Sequence, residues 1–250
     1  MNFTLDNVIV TRPTKTVYHD GNMLIKLFVE NYSSADVLNE AHNLAIVGEC
    51  GFKIPKLVSV QKINNRWAIA TEFIEGKTLS QLSKENPASV DAYLERLVDI
   101  QLEMHKYSAA KLRHNTDKMH SYISQSGLDA TTRYELHTRL SSLPRHSKLC
   151  HGDFCLSNVI VTPSDEAYVI DWAHATNGNA SADAARSYLI FHINGEQERG
   201  EQYLKLFCQK SDTALQYVQK WMALVAAAQL VKNKPEEKEL LLRWANVVEY

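Results

Sequence analysis

Four cysteines are spread through the 250 residues, at positions 50, 150, 155 and 208, and none forms a Cys-x-x-Cys pair. That scatter argues against the disulfide framework of a small secreted domain and against a structural zinc site. Charge of one sign is also scarce: 27 Lys and Arg stand against 29 Asp and Glu, for a net charge of -2. Nucleic-acid binders carry a basic domain or stripe. The most basic stretch here, residues 106–118, is interrupted by Asn115, Thr116 and Asp117 and reads as a solvated face or loop. Long apolar runs are missing too. The most apolar one, residues 221–231, falls far short of the roughly 20 residues a helix needs to cross a bilayer. The first ten residues contain Asp6 and no apolar core of the signal-peptide kind. The histidines lack metal-ligand spacing such as His-Glu-x-x-His. These absences lead us to expect a soluble, cytoplasmic protein, with no nucleic acid, no membrane and no obligate protein partner evident.

What is present is an ordinary globular composition, 45% apolar and 22% charged. Residues 7–10, 16–18 and 23–28 are short β-favouring runs, with a His19-Asp20-Gly21-Asn22 turn between the last two. Ser33 or Ser34 can cap a helix running to about Val47, since Val37, Leu38, Ala41, Leu44 and Ala45 follow helical spacing. Residues 57–61 and 66–73 read as two more strands joined at Ile63-Asn64-Asn65. After Gly76 the character changes. Residues 90–107 and 128–143 read as helices, residues 111–127 as irregular, and residues 182–250 as four helical segments broken near Gly195, Ser211 and Pro235. The expected fold class is therefore α+β: a small N-terminal lobe over residues 1–75, a β-sheet with one helix, then a larger, mostly helical C-terminal lobe over residues 76–250.

The most informative stretch is Cys150-His151-Gly152-Asp153-Phe154-Cys155-Leu156-Ser157-Asn158-Val159-Ile160-Val161, followed by Tyr168-Val169-Ile170-Asp171-Trp172. The two apolar strands flank a turn containing Thr162, Pro163, Ser164 and Asp165. A hairpin symmetric about Ser164-Asp165 would set Asn158 directly opposite Asp171. A carboxylate and an amide oxygen placed together suit a hard divalent cation such as Mg²⁺, which takes a few protein oxygens plus phosphate and water. Asp153, on the loop just before the first strand, can sit near that metal and accept a proton from a hydroxyl. The alternative is a surface hairpin whose Asn and Asp only make turn bonds. Lys26 interrupts the apolar run Met-Leu-Ile-Lys-Leu-Phe, so its ammonium is expected to be partly buried and to need a partner. Glu40, three residues after Val37 and four before Leu44, lies on the inward face of the next helix.

The pattern His-Gly-Asp-x-x-x-x-Asn, an apolar strand and Ile-Asp-Trp resembles the aminoglycoside phosphotransferase and choline kinase family, relatives of protein kinases with the same two-lobed fold. The resemblance implies Asp153 as catalytic base, Asn158 and Asp171 as metal ligands, and ATP or GTP with Mg²⁺ as cofactors. It casts Lys26 and Glu40 as the kinase-type couple in which lysine reaches the phosphates, with Lys15 the main competitor for that role. The resemblance also makes residues 71–79 an interlobe hinge, with the backbone of Glu72 and Ile74 at the purine. The phosphate-covering loop, residues 10–17, has no glycine; Thr11, Thr14 and Thr16 could serve there, and a plain strand–turn–strand is the alternative. His151 would support the catalytic loop, and Asp183 would anchor it. Cys155-Leu156-Ser157 stands where many members have His-Pro-Gly, so the conformation of that segment is left open.

The implied activity is transfer of the γ-phosphate of ATP or GTP to a hydroxyl of a small molecule: an amino sugar, a choline-like aminoalcohol or a sugar. Cationic acceptors would favour aromatic or acidic linings, for which Trp172, Trp221, Trp244, Tyr203, Tyr250, Glu196, Glu198, Glu201 and Glu249 are candidates, although Trp221 and Trp244 also fit a core. Neutral acceptors stay open. Two other readings are a catalytically silent nucleotide-binding regulator and a protein kinase. Retention of Asp153, Asn158, Asp171, Lys26 and Glu40 speaks against the first. The absence of His-Arg-Asp, Asp-Phe-Gly and Ala-Pro-Glu motifs speaks against the second.

Overall fold

The computed structural model describes residues 3–246. Five antiparallel strands form one sheet in the order β1-β2-β3-β5-β4: β1 (Val8–Thr11), β2 (Lys15–Asp20), β3 (Met23–Phe28), β4 (Leu57–Ile63) and β5 (Arg66–Glu72). The turns are those the residues favour. Gly21 takes φ 58° between β2 and β3, while Asn64 and Asn65 take φ 47° and 64° between β4 and β5, as a two-residue hairpin with positive φ at both positions requires.

Helix α1 (Ser34–Glu49) is capped by Ser33, whose hydroxyl accepts from the Asp36 N–H at 3.3 Å. It buries Val37 and Ala41 against Phe28 and Ile69 of the sheet. A valine or larger apolar side chain contributes about 1.5–3 kcal/mol on burial, an alanine methyl roughly 0.8 kcal/mol. The other face of the sheet gathers Ile25, Leu27, Ala68 and Ala70. Strand side chains alternate, so Lys26 shares the face of Phe28, which is the face that α1 covers.

Contacts divide the chain into two units, Met1–Leu82 with Ser157–His174, and Ser83–Leu156 with Ala175–Tyr250. This differs from the expected split at residues 75 and 76. The hairpin β8 (Val159–Val161) and β9 (Ala167–Val169) groups with the first unit because β6 (Lys77–Thr78) pairs with β8. Gly76 makes that pairing possible: a Cβ there would lie 2.3 Å from the Val161 carbonyl oxygen. Helix α2 (Leu79–Glu85) follows β6.

The second unit is mostly helical: α3 (Val90–Met104), α4 (Asn115–Gln125), α5 (Ala130–Ser142), α6 (Ala180–Ile193), α7 (Gln197–Ser211), α8 (Leu215–Gln229) and α9 (Lys238–Ala245). A short pair, β7 (Lys148–Cys150) with β10 (Thr176–Gly178), lies among them. Trp221, Tyr203 and Phe207 are fully buried in its core. The breaks near Gly195 and Ser211 fall at positive-φ residues, Gly195 and Asp212. Helix α4 occupies the stretch expected to be irregular. Its buried residues are Asn115, Thr116 and Ile123, two of them polar, so no apolar periodicity marks it. No helix among the described residues is long and apolar enough to cross a membrane.

Candidate active site

In the first unit, the side-chain amine of Lys26 lies 2.6 Å from Glu40 Oε1 and 2.9 Å from Asp171 Oδ1. The Lys26 and Glu40 side chains are 15% and 9% exposed, so the ion pair is sheltered from screening by water. Burial alone would lower the Lys26 ammonium; Asp171 and Glu40 outweigh it and raise it above the ordinary lysine value. Lys15, the competing candidate, approaches the second oxygen of Asp171 at 3.5 Å. Two ammonium groups therefore converge on one carboxylate. Asp171 itself sits at φ 67°, in the left-handed region that Asp tolerates better than most residues.

The hairpin register differs from the expected one. Val159 pairs with Val169 and Val161 with Ala167, and Ile170 N–H donates to the Asn158 carbonyl at 2.9 Å. Asn158 thus faces Ile170, and Asp171 lies one residue beyond. The cause is the turn. Thr162 N–H bonds the Glu166 carbonyl at 2.9 Å, leaving a three-residue loop that ends in a left-handed Asp165, φ 63°. That is a common hairpin closure, and an odd loop moves the register by one. Asn158 is buried. Its amide and the Asp171 carboxylate are hard-oxygen donors of the kind Mg²⁺ takes, so these residues fit a divalent cation.

The other expected nucleotide contacts are less uniform. Thr14 lies in the exposed turn between β1 and β2, and its carbonyl accepts from Val29 N–H at 3.0 Å. Glu72 N–H is already committed to the Lys56 carbonyl at 2.9 Å, and the Glu72 carbonyl, which accepts from the Thr71 hydroxyl at 3.3 Å, keeps a second lone pair that could meet a purine. Ile74 follows two residues on, half-buried.

In the second unit, Asp153 Oδ1 accepts from Arg186 Nη2 at 3.2 Å, and Arg186 Nε donates to the Gly152 carbonyl at 3.3 Å. Gly152 N–H in turn donates to Asp183 Oδ1 at 2.7 Å. Asp183 and Arg186 are three residues apart on α6, hence on one face, and grip the Gly152 residue from both its amide and its carbonyl. Asp183 also receives Gln101 at 3.2 Å and His105 at 3.1 Å. Burial would raise the Asp183 carboxyl, but His105 and the Gly152 N–H hold it below the ordinary range. His151 is fully buried, and its Nδ1 accepts from Asp153 N–H at 3.1 Å. Arg186 and His105 carry no local motif. The signal that could have found Arg186 is its position one turn after Asp183.

The aromatic candidates are mostly core. Trp172, Trp221 and Tyr203 are buried, and the Tyr203 hydroxyl donates to Gln101. Trp244 stacks on Tyr188 at 5.4 Å. Glu201 accepts from the Tyr188 hydroxyl, Glu196 pairs with Arg199 at 2.6 Å, and Glu198 is exposed. Glu249 and Tyr250 lie outside the described residues.

None of the curated proteins compared matches this chain. Solved structures do. A thermostable mutant of aminoglycoside phosphotransferase APH(4)-Ia, in a ternary complex with AMP-PNP and hygromycin B, is similar over 97% of this chain and 91% of its own, at TM-score 0.70 and 16% identity. Aminoglycoside-3'-phosphotransferase of type VIII is similar over 92% of each chain, at TM-score 0.62 and 15% identity. Choline kinase LicA from Streptococcus pneumoniae is similar over 96% of this chain and 93% of its own, at TM-score 0.62 and 16% identity. At these identities the likeness is one of fold, the protein-kinase-like α+β fold that the motifs implied. The model of the phosphotransferase enzyme family matches residues 14–221, and the chain belongs to that family.

Proposed function

We propose that this protein is a small-molecule O-phosphotransferase that moves the γ-phosphoryl group of ATP or GTP to a hydroxyl. The observation that carries this reading is the buried Lys26 held by both Glu40 and Asp171, an arrangement that fixes a cation where phosphates need one. Asn158 and Asp171 would hold Mg²⁺, which supplies neutralisation of phosphate charge. Lys26 binds and orients the phosphates, and the Glu72 and Ile74 backbone meets the purine. Asp153 takes the acceptor's proton as the acceptor oxygen bonds to the γ-phosphorus, the bond from phosphorus to the β–γ bridging oxygen breaks, and the nucleoside diphosphate leaves with that electron pair. Arg186 positions Asp153.

Purified protein assayed for acceptor-stimulated ADP or GDP release tests this reading. Asp153→Ala should abolish transfer while nucleotide affinity stays nearly intact, because the base holds the acceptor's proton and not the nucleotide. Turnover in that variant comparable to the original would reject the assignment. A silent regulator would bind nucleotide and release none with any acceptor.

A further inference from the structure

Helix α4 sits in the second unit without an apolar stripe, since its buried residues are Asn115, Thr116 and Ile123. Histidines tie it down at two places. The first is its N-terminus, which His114 caps. His114 Nδ1 accepts from Thr116 N–H at 3.3 Å and from the Thr116 hydroxyl at 2.8 Å, while Nε2 donates to the His146 carbonyl at 2.9 Å. A nitrogen that faces a carbonyl carries the proton, so the neutral ring keeps its lone pair at Nδ1. Thr116 is buried, and its N–H is one of those that a helix start leaves without a backbone partner. A second proton on the ring, at Nδ1, can still bond the hydroxyl but leaves that N–H without its acceptor.

The second place is mid-helix. His120 Nδ1 on α4 lies 2.8 Å from His137 Nδ1 on α5. The ring planes differ by 17° and the centroids are 5.0 Å apart, so the rings meet edge to edge, one Nδ1–H pointing at the other's lone pair. His137 Nε2 also meets Ser124 Oγ, one turn after His120, at 3.2 Å. With both rings neutral, one proton lies between the two Nδ1 atoms. One added proton still leaves an acceptor there. A second puts an Nδ1–H on each ring, and two donors at that distance repel, so the bond between α4 and α5 is lost.

The charges around the pair are few. Asp117, one turn before His120, is tied to Arg145 at 2.8 and 3.1 Å. Burial, then His137, holds His120 below the ordinary histidine value, with Asp117 opposing and Arg145 adding to the effect. Lys118, Glu135 and Arg139 stand two residues from His120 or His137, on the other side of their helices. Arg133 of α5 is turned to the Leu128 carbonyl at 3.0 Å, and Tyr134 is exposed. The other elements packed on α4 are α8, β10 and the 3-10 turn Leu230–Lys232. Strand β10 has no titratable side chain, Tyr217 of α8 is bonded to Asn179 at 2.7 Å, Lys220 is exposed, and Lys232 acts on Lys118. Since His120 is lowered in the folded state, the stability it contributes is complete above the ordinary histidine value and is lost as pH falls through the lower folded value.

We propose that α4 is an acid-released element: neutral His114 and the proton shared by His120 and His137 pin it to the second unit, and protonation of these rings frees the helix while the core around Trp221 stays folded. The inference does not depend on the phosphotransferase reading and is tested without nucleotide or acceptor.

Backbone amide hydrogen exchange of the full chain, read by mass spectrometry from about pH 7.5 down to about pH 5.5 and corrected for the intrinsic pH dependence of exchange, tests it. Peptides covering α4 should lose protection about tenfold relative to those covering α8 across that range, the scale of one lost hydrogen bond. In the double variant His114→Asn/His137→Asn the acid response should vanish. Asparagine caps a helix without titrating, and an amide oxygen at position 137 accepts from His120 Nδ1–H in either charge state of that ring. Should the double variant fold poorly, each single variant should still cut the response about threefold. Protection of α4 that falls no faster than that of α8 in the original protein overturns the proposal, and so does an acid response that persists undiminished in the variants.

Discussion

Removing the partners of Lys26 one at a time should give unequal losses. Glu40→Gln leaves the ammonium its second carboxylate, Asp171 Oδ1 at 2.9 Å, so the loss is that of one charge-assisted hydrogen bond, about 1.5–3 kcal/mol. Lys26→Met is worse, because Glu40, 9% exposed, keeps a charge deprived of this ammonium. Breaking a buried pair in that way costs about 3–5 kcal/mol. The double variant Lys26→Met/Glu40→Gln leaves no buried carboxylate at position 40, so its loss should fall below the sum of the singles by at least ~1.5 kcal/mol, well beyond the scatter of independent sites. The coupling should hold through the neutral range. The Lys26 ammonium is raised above its ordinary value, so its stabilising contribution is complete below the ordinary lysine pKa and is lost only as pH climbs through the higher folded value. Urea unfolding of the four proteins measures the cycle, and the same cycle on kcat/KM asks whether the pair acts as a unit in nucleotide use. Additive stability losses, or a Glu40→Gln protein as stable as the original, would refute the reasoning and return Lys15 as the phosphate contact.

Asp171→Asn should sharply raise the Mg²⁺ concentration needed for nucleotide turnover, read by titration; an unaltered dependence would make Asp171 structural. Asp183→Asn should lose about 3 kcal/mol near neutral pH by weakening the bonds to His105, Gln101 and Gly152. The Asp183 carboxyl is held below its ordinary range, so its contribution is complete above that range and disappears as pH falls through the folded value. The gap between variant and original in urea melts should therefore close in acid. Gly178→Ala would put a Cβ 2.1 Å from Asn115 Cγ. Such overpacking costs about 1–3 kcal/mol, or ~2–4 °C of melting temperature per kcal/mol in a chain of this size; a melting curve that does not move would show that Asn115 can give way.

Much of the site was legible because its signals are local. A lysine inside Met-Leu-Ile-Lys-Leu-Phe was expected to be partly buried, and Glu40 to face inward by helix spacing, against the alternative of an edge-strand lysine in solvent and a glutamate on the margin of the stripe. Their meeting at 2.6 Å follows from which face of the sheet α1 covers. The run from His151 to Asp171 named its own polar residues. Composition also located the β-rich and helical parts, since periods of two and of three to four residues are written in neighbouring positions.

Only the tertiary structure decided the rest. The register that sets Asn158 against Ile170 depends on where a turn closes, and Thr162, Pro163, Ser164 and Asp165 allow more than one closure. Helix α4 has no apolar stripe because it buries Asn115 and Thr116, so periodicity could not reveal it or the placing of Lys118. Arg186 reaches Asp153 across 33 residues of sequence. Local sequence carries propensity and the facing of side chains along one element. Which charges end as neighbours is fixed by the packing of whole elements, whose contacts lie far apart in the chain.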